Sequence, residues 1–226
     1  MKKVLAVVSL SLFSLGAASA SLVPCTITGA TLGGQISSST VVTCGGLTFE
    51  NFDILNATGG AAGIVDVLSG SSYDTSLGTV NLQLNPNLQA NQDVELMFEV
   101  LGGVSQIDMA VGGQNATVTE RACANPIATS GSIAFLCTNT AGTSSVDPLG
   151  QITVSTGTPN QPVFSTPFTN TSPVYIFKDI QTGAGGALSE LTQSFESTGT
   201  PEPVSMVLLG SGLLGLGLMR RRSRKN

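Results

Sequence analysis

Acidic side chains are the residues of this chain that could do chemistry by type alone. Asp93, Glu95, Glu99 and Asp108 lie close together in the sequence. A glycosidase needs two carboxylates across a cleft, so these four are candidates for a carboxylate-based hydrolase. Asp93 and Glu95, however, occupy alternate positions of a predicted strand and should share one face of a sheet. We therefore expect a solvated polar face, and we predict no catalytic residue and no enzyme activity.

Other catalytic arrangements lack their essential residue types. The chain has no histidine, which excludes Ser-His-Asp and Cys-His mechanisms and every His-ligated metal site. It has neither a G-x-S-x-G nucleophile motif nor a phosphate-binding glycine loop followed by Lys and Ser or Thr. We therefore predict no cofactor and no metal centre.

Ligand binding has weaker sequence support. Asp66 and Asp74, or the acidic pairs above, could offer oxygen ligands to calcium, but no D-x-D-x-D-G loop is present. Sugar binding would lack tryptophan and have only Tyr73 and Tyr175 as tyrosine platforms. An ice-binding surface needs a regular threonine array, and the T-x-T pairs at 26–28 and 117–119 are isolated, which favours exposed strand faces.

Charge is distributed very unevenly. Between Ser21 and Thr200 the only cations are Arg121 and Lys178, against 13 carboxylates, so this part carries a net charge of −11. Such a surface is a poor partner for nucleic acid, whose phosphates bind Lys and Arg, and for anionic lipid. We therefore expect no nucleic-acid partner.

Lys178 lies on a predicted strand, on the same face as Val174, Ile176 and Ile180. Its stem should pack while its ammonium reaches water or an acid. An intramolecular Lys–Asn isopeptide bond is the sharper alternative, and it would lower the mass by about 17 Da, the mass of the ammonia lost.

The four cysteines, Cys25, Cys44, Cys123 and Cys137, predict two disulfides. An even cysteine count in an exported chain is typical of a disulfide framework, and three pairings are open. Bonds between sequence neighbours, Cys25–Cys44 and Cys123–Cys137, are the ones we expect. A cysteine metal site is the alternative, but no C-x-x-C spacing is present.

The elements that must position these residues are strands. Thr, Ser, Gly and Val are abundant, and short apolar runs separated by Gly, Asn and Pro predict an all-β fold, an antiparallel two-sheet sandwich of jelly-roll or Ig-like type, over residues 21–196. Gly102-Gly103 predicts a hairpin, Gly112-Gly113 repeats the signal, and residues 183–187 predict a loop tip. The predicted strands are 40–43, 47–54, 94–101, 104–111, 116–121, 133–137, 151–155, 173–180 and 187–195, with a turn of helix as the alternative at 190–195.

The N-terminal end predicts export. Lys2 and Lys3 form a positively charged n-region, and an apolar stretch follows over residues 4–16. Ala18 and Ala20 then form an A-x-A cleavage site. We predict a signal peptide over residues 1–20, handled by the secretion translocon and signal peptidase. An uncleaved signal anchor is the alternative.

The C-terminal end predicts a membrane segment. After a spacer at 197–200, Pro201, Glu202 and Pro203 precede an uncharged run over 204–219 and a basic end over 220–226. A helix of that length just falls short of a bilayer core, and the basic end should stay in the cytoplasm. A plain anchor and a buried core helix are the alternatives; glycines within the run favour a segment that is recognised and cut.

This tail resembles the PEP-CTERM sorting signal, also named the ice-binding protein C-terminal domain. The resemblance rests on Pro201, Glu202 and Pro203, on the Leu/Gly-rich stretch, and on Arg220, Arg221 and Arg222. It implies recognition of the tail by exosortase, an integral-membrane peptidase, and release to the cell surface or extracellular polymer. More loosely, Cys44 to Phe52 and the late strand around Lys178 resemble PEP-CTERM ectodomains of unassigned activity.

Together the two ends predict an exported protein, anchored in the membrane before processing and then held at the cell surface or in the extracellular matrix. We expect a structural or adhesive ectodomain, with extracellular polysaccharide as a candidate partner. A polysaccharide- or calcium-binding module is the first alternative, and a carboxylate-based hydrolase the second.

Overall fold

The structure, a computed structural model, describes residues 21–30, 34–61, 63–132, 134–156 and 163–196. The predicted signal peptide with Ala18 and Ala20, the spacer at 197–200 and the tail at 201–226 lie outside the described residues. Within the described ranges every regular element is a strand, which confirms the all-β prediction. No helix in those ranges is long and apolar enough to cross a membrane.

In the part of the chain that the structure describes, twelve strands form one antiparallel sheet. They are β1 (Leu22–Pro24), β2 (Thr26–Thr28), β3 (Val41–Cys44), β4 (Leu47–Thr58), β5 (Asp66–Val67), β6 (Ser72–Asp74), β7 (Thr79–Asn85), β8 (Asp93–Leu101), β9 (Gln106–Cys123), β10 (Gly150–Ser155), β11 (Val163–Phe164) and β12 (Val174–Glu196).

Two long strands organise this sheet. β9 has 18 residues and β12 has 23, and they pair with each other along almost their whole length. The other edge of β12 pairs with β8 in its first half and with β7 in its second half. The other edge of β9 pairs with β10 and β11. The sheet therefore has two halves, one that contains β8 and the first half of β12, and one that contains β7 and the second half of β12. β9 runs beside β12 through both halves.

β9 takes the place of the strands predicted at 104–111 and 116–121, and β12 takes the place of those predicted at 173–180 and 187–195. The turn predicted within each pair was therefore wrong. Residues 183–187 were expected to form a loop tip but lie inside β12, where the register with β9 shifts between Thr182 and Ala187. Gly112 and Gly113 were expected to form a turn but lie inside β9. A side chain on Gly113 would stand 2.4 Å from the carbonyl oxygen of Ala187, so this glycine permits close contact between strands.

The hairpin predicted at Gly102-Gly103 is also absent. These glycines have φ of 108° and 91° and do connect β8 to β9. The two strands are not hydrogen-bonded neighbours, however, because β12 lies between them. A pair of glycines predicts that the chain changes direction, but it does not predict which strand pairs with the strand that ends there.

Of the five remaining predicted strands, four are present and one is absent from the described residues. Strands near 40–43, 47–54, 94–101 and 151–155 are present as β3, β4, β8 and β10. No strand forms over the described part of 133–137, and the helical turn considered at 190–195 is part of β12. The short strands β1, β5, β6 and β11 and the longer β7 were not predicted, whereas β2 coincides with the T-x-T pair at 26–28 that was expected on an exposed strand face.

The core lies on the concave side of the sheet, called here the inner face. Side chains along β8 alternate between half-buried and buried, as a strand with one face in a core requires. Phe195, in the second half of β12, stacks edge-on against Phe49 of β4 with ring centroids 4.9 Å apart. The sheet therefore curls over its own core and is nearly closed, like a barrel.

Candidate functional site

Three polar residues lie completely buried within the inner face. Glu120 of β9 and Lys178 and Gln193 of β12 each have 0% exposure, and we call them the central triad. Strand alternation places them there: Glu120 shares its face with Val118 and Ala122, both buried. Polar groups in such a site are costly unless they are hydrogen-bonded.

The bend in the two long strands brings the triad together. Lys178 is directly opposite Glu120 in the first half of the pair, and Gln193 is opposite Met109 in the second half. Contacts also run between the halves, since the Lys178 Nζ lies 3.8 Å from the Met109 sulfur and Gln193 reaches Glu120. Lys178 and Gln193, which are 15 positions apart on β12, thus face each other across the core.

Glu120 is the centre of the hydrogen bonding. Its Oε2 accepts a hydrogen bond from the Lys178 ammonium in a fully buried ion pair, and its Oε1 accepts one from the Gln193 amide nitrogen. The Gln193 carbonyl oxygen is buried and has no hydrogen-bond partner. One carboxyl group therefore contacts both nitrogens.

Burial is the main influence on protonation in the triad. It raises the pKa of the Glu120 carboxyl, while the Lys178 ammonium opposes that rise. Burial lowers the pKa of the Lys178 amine, while the Glu120 carboxylate opposes that fall. Both changes favour the neutral forms, because a low-dielectric interior disfavours charge.

The Lys178 prediction was correct in its geometry and incomplete in its partners. Lys178 shares the inner face with Val174, Ile176 and Ile180, and its head reaches an acid, as expected. Its ammonium contacts Glu120 and Met109, and the carboxamide that shares the Glu120 carboxyl with it is that of Gln193, not of an asparagine. Sequence reasoning missed Glu120 and Gln193, although each alternates with apolar neighbours that mark the inner face.

The opposite, convex side, called here the outer face, carries the predicted acidic candidates. Asp93 and Glu95 share this face on β8, as predicted, and stand opposite Gln181 and Asp179 on β12. Asp93 Oδ1 and Glu95 Oε2 are shielded from water and accept no hydrogen bond. Burial and the neighbouring carboxylates raise the pKa of Glu95; burial and Asp179 raise that of Asp93.

The other two hydrolase candidates have different surroundings. Glu99 is on the outer face, where its Oε2 accepts a hydrogen bond of 2.8 Å from the Asn51 side-chain nitrogen. Asp108 is on β9 opposite Ser194 and is 8% exposed; burial raises its pKa, while hydrogen bonds from Ser194 oppose the rise. The four candidates are therefore not brought into one cleft.

Two of the clefts lined by described residues each have a single carboxylate in the lining. One is lined by Asn51, Met97, Glu99, Ile127 and Tyr175 together with neighbouring apolar and proline side chains. The other lies beside the second disulfide, with Arg121 and Asp147 in its wall. Neither offers the carboxylate pair that glycoside hydrolysis uses.

The calcium candidates are also separated. Asp66 and Asp74 pair with opposite ends of β7, at Asn85 and Thr79. Asp74 Oδ1 accepts hydrogen bonds from Ser76 and Leu77, which lower its pKa and identify it as a turn residue. Among the described residues no group of three or more His, Cys, Asp or Glu side chains is placed to hold a metal ion.

The threonine pairs do not form one surface. Residues 26–28 lie on β2 and residues 117–119 on β9, and these strands are not neighbours. Thr117 and Thr119 form hydroxyl hydrogen bonds of 3.0 and 3.1 Å with Ser155 and Thr153 of β10. They form a small polar patch on the outer face.

All four cysteines are disulfide-bonded, and sequence neighbours are paired, as expected: Cys25 with Cys44 and Cys123 with Cys137. The second bond ties the segment after β9 onto the outer face. There Cys123, Ile127, Cys137 and Phe177 form a second apolar group, the outer cluster. Phe135 stacks on Phe177 at 5.4 Å, so the segment is held by packing as well as by the bond.

Comparison with known proteins gives no match to this chain: no family model, no curated protein and no solved structure is similar to it.

Proposed function

We propose that this chain is an exported protein of the cell surface or extracellular matrix, with a structural or adhesive domain over residues 21–196. The pairing of all four cysteines supports export, because disulfides persist in oxidising compartments. The A-x-A site at Ala18 and Ala20 and the sorting tail support it independently.

Delivery follows from the tail. Signal peptidase cuts after Ala20, the segment over 204–219 holds the protein in the membrane, and an exosortase-type peptidase recognises Pro201, Glu202 and Pro203. Arg220, Arg221 and Arg222 keep the last residues in the cytoplasm until cleavage. The domain then remains at the surface or in the matrix, where polysaccharide is a candidate partner.

We further propose that the nearly closed sheet is a two-layer sandwich of jelly-roll or Ig-like type. The contact between Phe195 and Phe49 supports this architecture, since these residues come from different halves of the sheet. Two bends in continuous strands would then replace the loops that usually connect layers.

The intact mass of the protein from its native envelope fraction tests the proposal. We expect a species that begins at Ser21 and ends near Pro201 to Pro203. Its mass should be that of this sequence plus the mass of any group attached on release. Reduction should add about 4 Da, because each of two disulfides gains two hydrogens. A mass that runs to Asn226 would contradict processing by a peptidase and make the tail a permanent anchor.

The alternatives make different predictions for the same purified protein. A calcium-binding module should melt at a higher temperature in calcium than in a chelator, and a polysaccharide-binding module should bind purified exopolymer. A hydrolase should show an activity that Glu95→Gln removes. A structural domain shows no calcium-dependent melting and no activity on glycans.

A further inference from the structure

The central triad contains the groups that an intramolecular amide cross-link requires. These are an amine, a carboxamide, and a carboxyl group able to carry a proton between them, all shielded from water. Lys178, Gln193 and Glu120 supply one each, and each has 0% exposure. We propose that the Lys178 amine is joined to the Gln193 side chain by an isopeptide bond, formed by the protein itself with Glu120 as the proton carrier.

The contacts of Glu120 fit that role. Its two oxygens contact the two nitrogens whose protons must move: the Lys178 Nζ that attacks and the Gln193 Nε2 that leaves. The Gln193 carbonyl oxygen accepts no hydrogen bond, so the carboxamide is oriented through its nitrogen, which donates to Glu120. A general acid or base must lie within hydrogen-bond reach of the atoms it serves.

The reaction balances without any added reagent. The Lys178 ammonium first gives a proton to the Glu120 carboxylate, and the neutral Nζ attacks the Gln193 side-chain carbonyl carbon. The Nζ–carbon bond forms, a second Nζ proton passes through Glu120 to Nε2, and the carbon–Nε2 bond breaks. Ammonia leaves, and a secondary amide joins the two side chains.

Burial favours the first proton transfer. It lowers the pKa of the Lys178 amine and raises the pKa of the Glu120 carboxyl, so the neutral pair that the attack needs is promoted. Outside the folded protein the lysine would stay charged, and a charged amine is not nucleophilic. The bond should therefore form only after folding.

The bond would tie the two halves of β12 together. Lys178 pairs with the first half of the sheet and Gln193 with the second, on either side of the register shifts at 182–190. A covalent link there would resist the separation of the two halves. This inference goes beyond the proposed function, since it concerns how the domain is held together wherever the protein resides.

Tryptic mapping of the full, reduced and denatured wild-type chain tests the proposal. Arg121 and Lys178 are the only cleavage sites between Ser21 and Thr200. Trypsin cannot cleave after an acylated lysine, so we expect one uncut fragment running from Ala122 past Lys178. It should be lighter than its sequence by about 17 Da, the mass of ammonia. Cleavage after Arg121 is the internal control for complete digestion.

Other outcomes overturn the proposal. Recovery of the peptide from Ala122 to Lys178 at its sequence mass would show that the triad is held by noncovalent contacts. A deficit of about 18 Da, with the fragment ending at Arg121 joined to the later one, would place the bond on Glu120, with loss of water. Both disulfides lie within single fragments, so they cannot imitate either result.

Two variants locate the chemistry. Glu120→Gln should restore the sequence mass and cleavage after Lys178, because the proton carrier is gone. Asp179→Asn, at the next residue of β12 and on the outer face, is the matched control and should retain the deficit. A deficit that persists in Glu120→Gln would contradict the role of Glu120. The wild-type map decides whether the bond exists even if the Glu120 variant does not fold.

Discussion

The inner and outer faces of β9 and β12 carry the same charged residue types, which are completely buried on the inner face and partly exposed on the outer face. Lys178 and Arg121 are the two cations of residues 21–200 and occupy neighbouring rungs of this strand pair. Lys178 is completely buried and paired with Glu120. Arg121 is partly exposed, hydrogen-bonds Gln151 at 3.3 Å and the Phe135 carbonyl at 3.2 Å, and lies 5.8 Å from the Phe177 ring.

The carboxylates show the same contrast. Glu120 is buried with a partner on each oxygen, whereas Asp93 and Glu95 are half-exposed beside Asp179, without a cation. Position relative to the core therefore decides what a charge does here. On the inner face, removing one member of the pair leaves the other buried and without its partner, and on the outer face like charges weakly oppose folding.

The largest expected effect comes from breaking the inner pair. Lys178→Met leaves Glu120 buried without the nitrogen that it contacts and also removes the proposed bond to Gln193, which should lower the free energy of unfolding by at least about 3–5 kcal/mol. Arg121→Met is the matched outer change and should cost about 1 kcal/mol or less. Urea unfolding of both variants measures the difference, and equal losses would refute the contrast between faces.

Removing the outer disulfide comes next. Replacing Cys123 and Cys137 together by alanine should cost about 3 kcal/mol, because a loop of this length is no longer restricted in the unfolded chain. The matched pair, Cys25 and Cys44, closes a loop of similar length and should cost a similar amount. Thermal unfolding of both variants tests this, and no loss in either would mean that packing alone holds these segments.

A glycine in the bend should matter more than its neighbour. Gly113→Ala places a methyl group against the Ala187 carbonyl and should cost about 1–3 kcal/mol. Gly112→Ala is the control, because its added carbon would stand 3.7 Å from the nearest atoms, an ordinary contact. Chemical unfolding measures both, and an unaffected Gly113→Ala variant would contradict close packing of the bend.

The smallest expected effect lies in the outer acidic group. The pKa of Glu95 is raised in the folded protein, so its ionisation opposes folding at neutral pH. This opposition fades as the pH falls through the raised pKa towards the ordinary value of 4.5. Glu95→Gln should therefore stabilise the protein slightly near pH 7 and have no effect near pH 4. Melting temperatures across this range provide the measurement; stabilisation at acidic pH alone would contradict the direction.

Local patterns predicted the parts of the molecule that depend on neighbours in sequence. Strand alternation placed Lys178 with Val174 and Ile176, and placed Asp93 with Glu95, correctly. The disulfides join the expected neighbours because short loops close easily. These results need no knowledge of which strands are paired.

What sequence reasoning missed depends on long-range register. Glu120 could not be identified as the partner of Lys178, because that requires knowing that β9 lies beside β12 and in which alignment. Gly113 gave the wrong prediction because a glycine that permits close strand contact has the same sequence signal as one in a turn. Local alternation could therefore place each member of the central triad on the inner face, but it could not show that the three side chains meet.

A double-mutant cycle tests most directly whether the inner face holds the domain together. Lys178→Met, Glu120→Leu and their combination give the coupling energy of the buried pair, and Arg121→Met with Gln151→Leu gives a matched outer cycle one rung away. We predict at least about 2 kcal/mol of coupling for the inner pair and less than about 0.5 kcal/mol for the outer pair. Equal coupling energies in the two cycles would contradict the account.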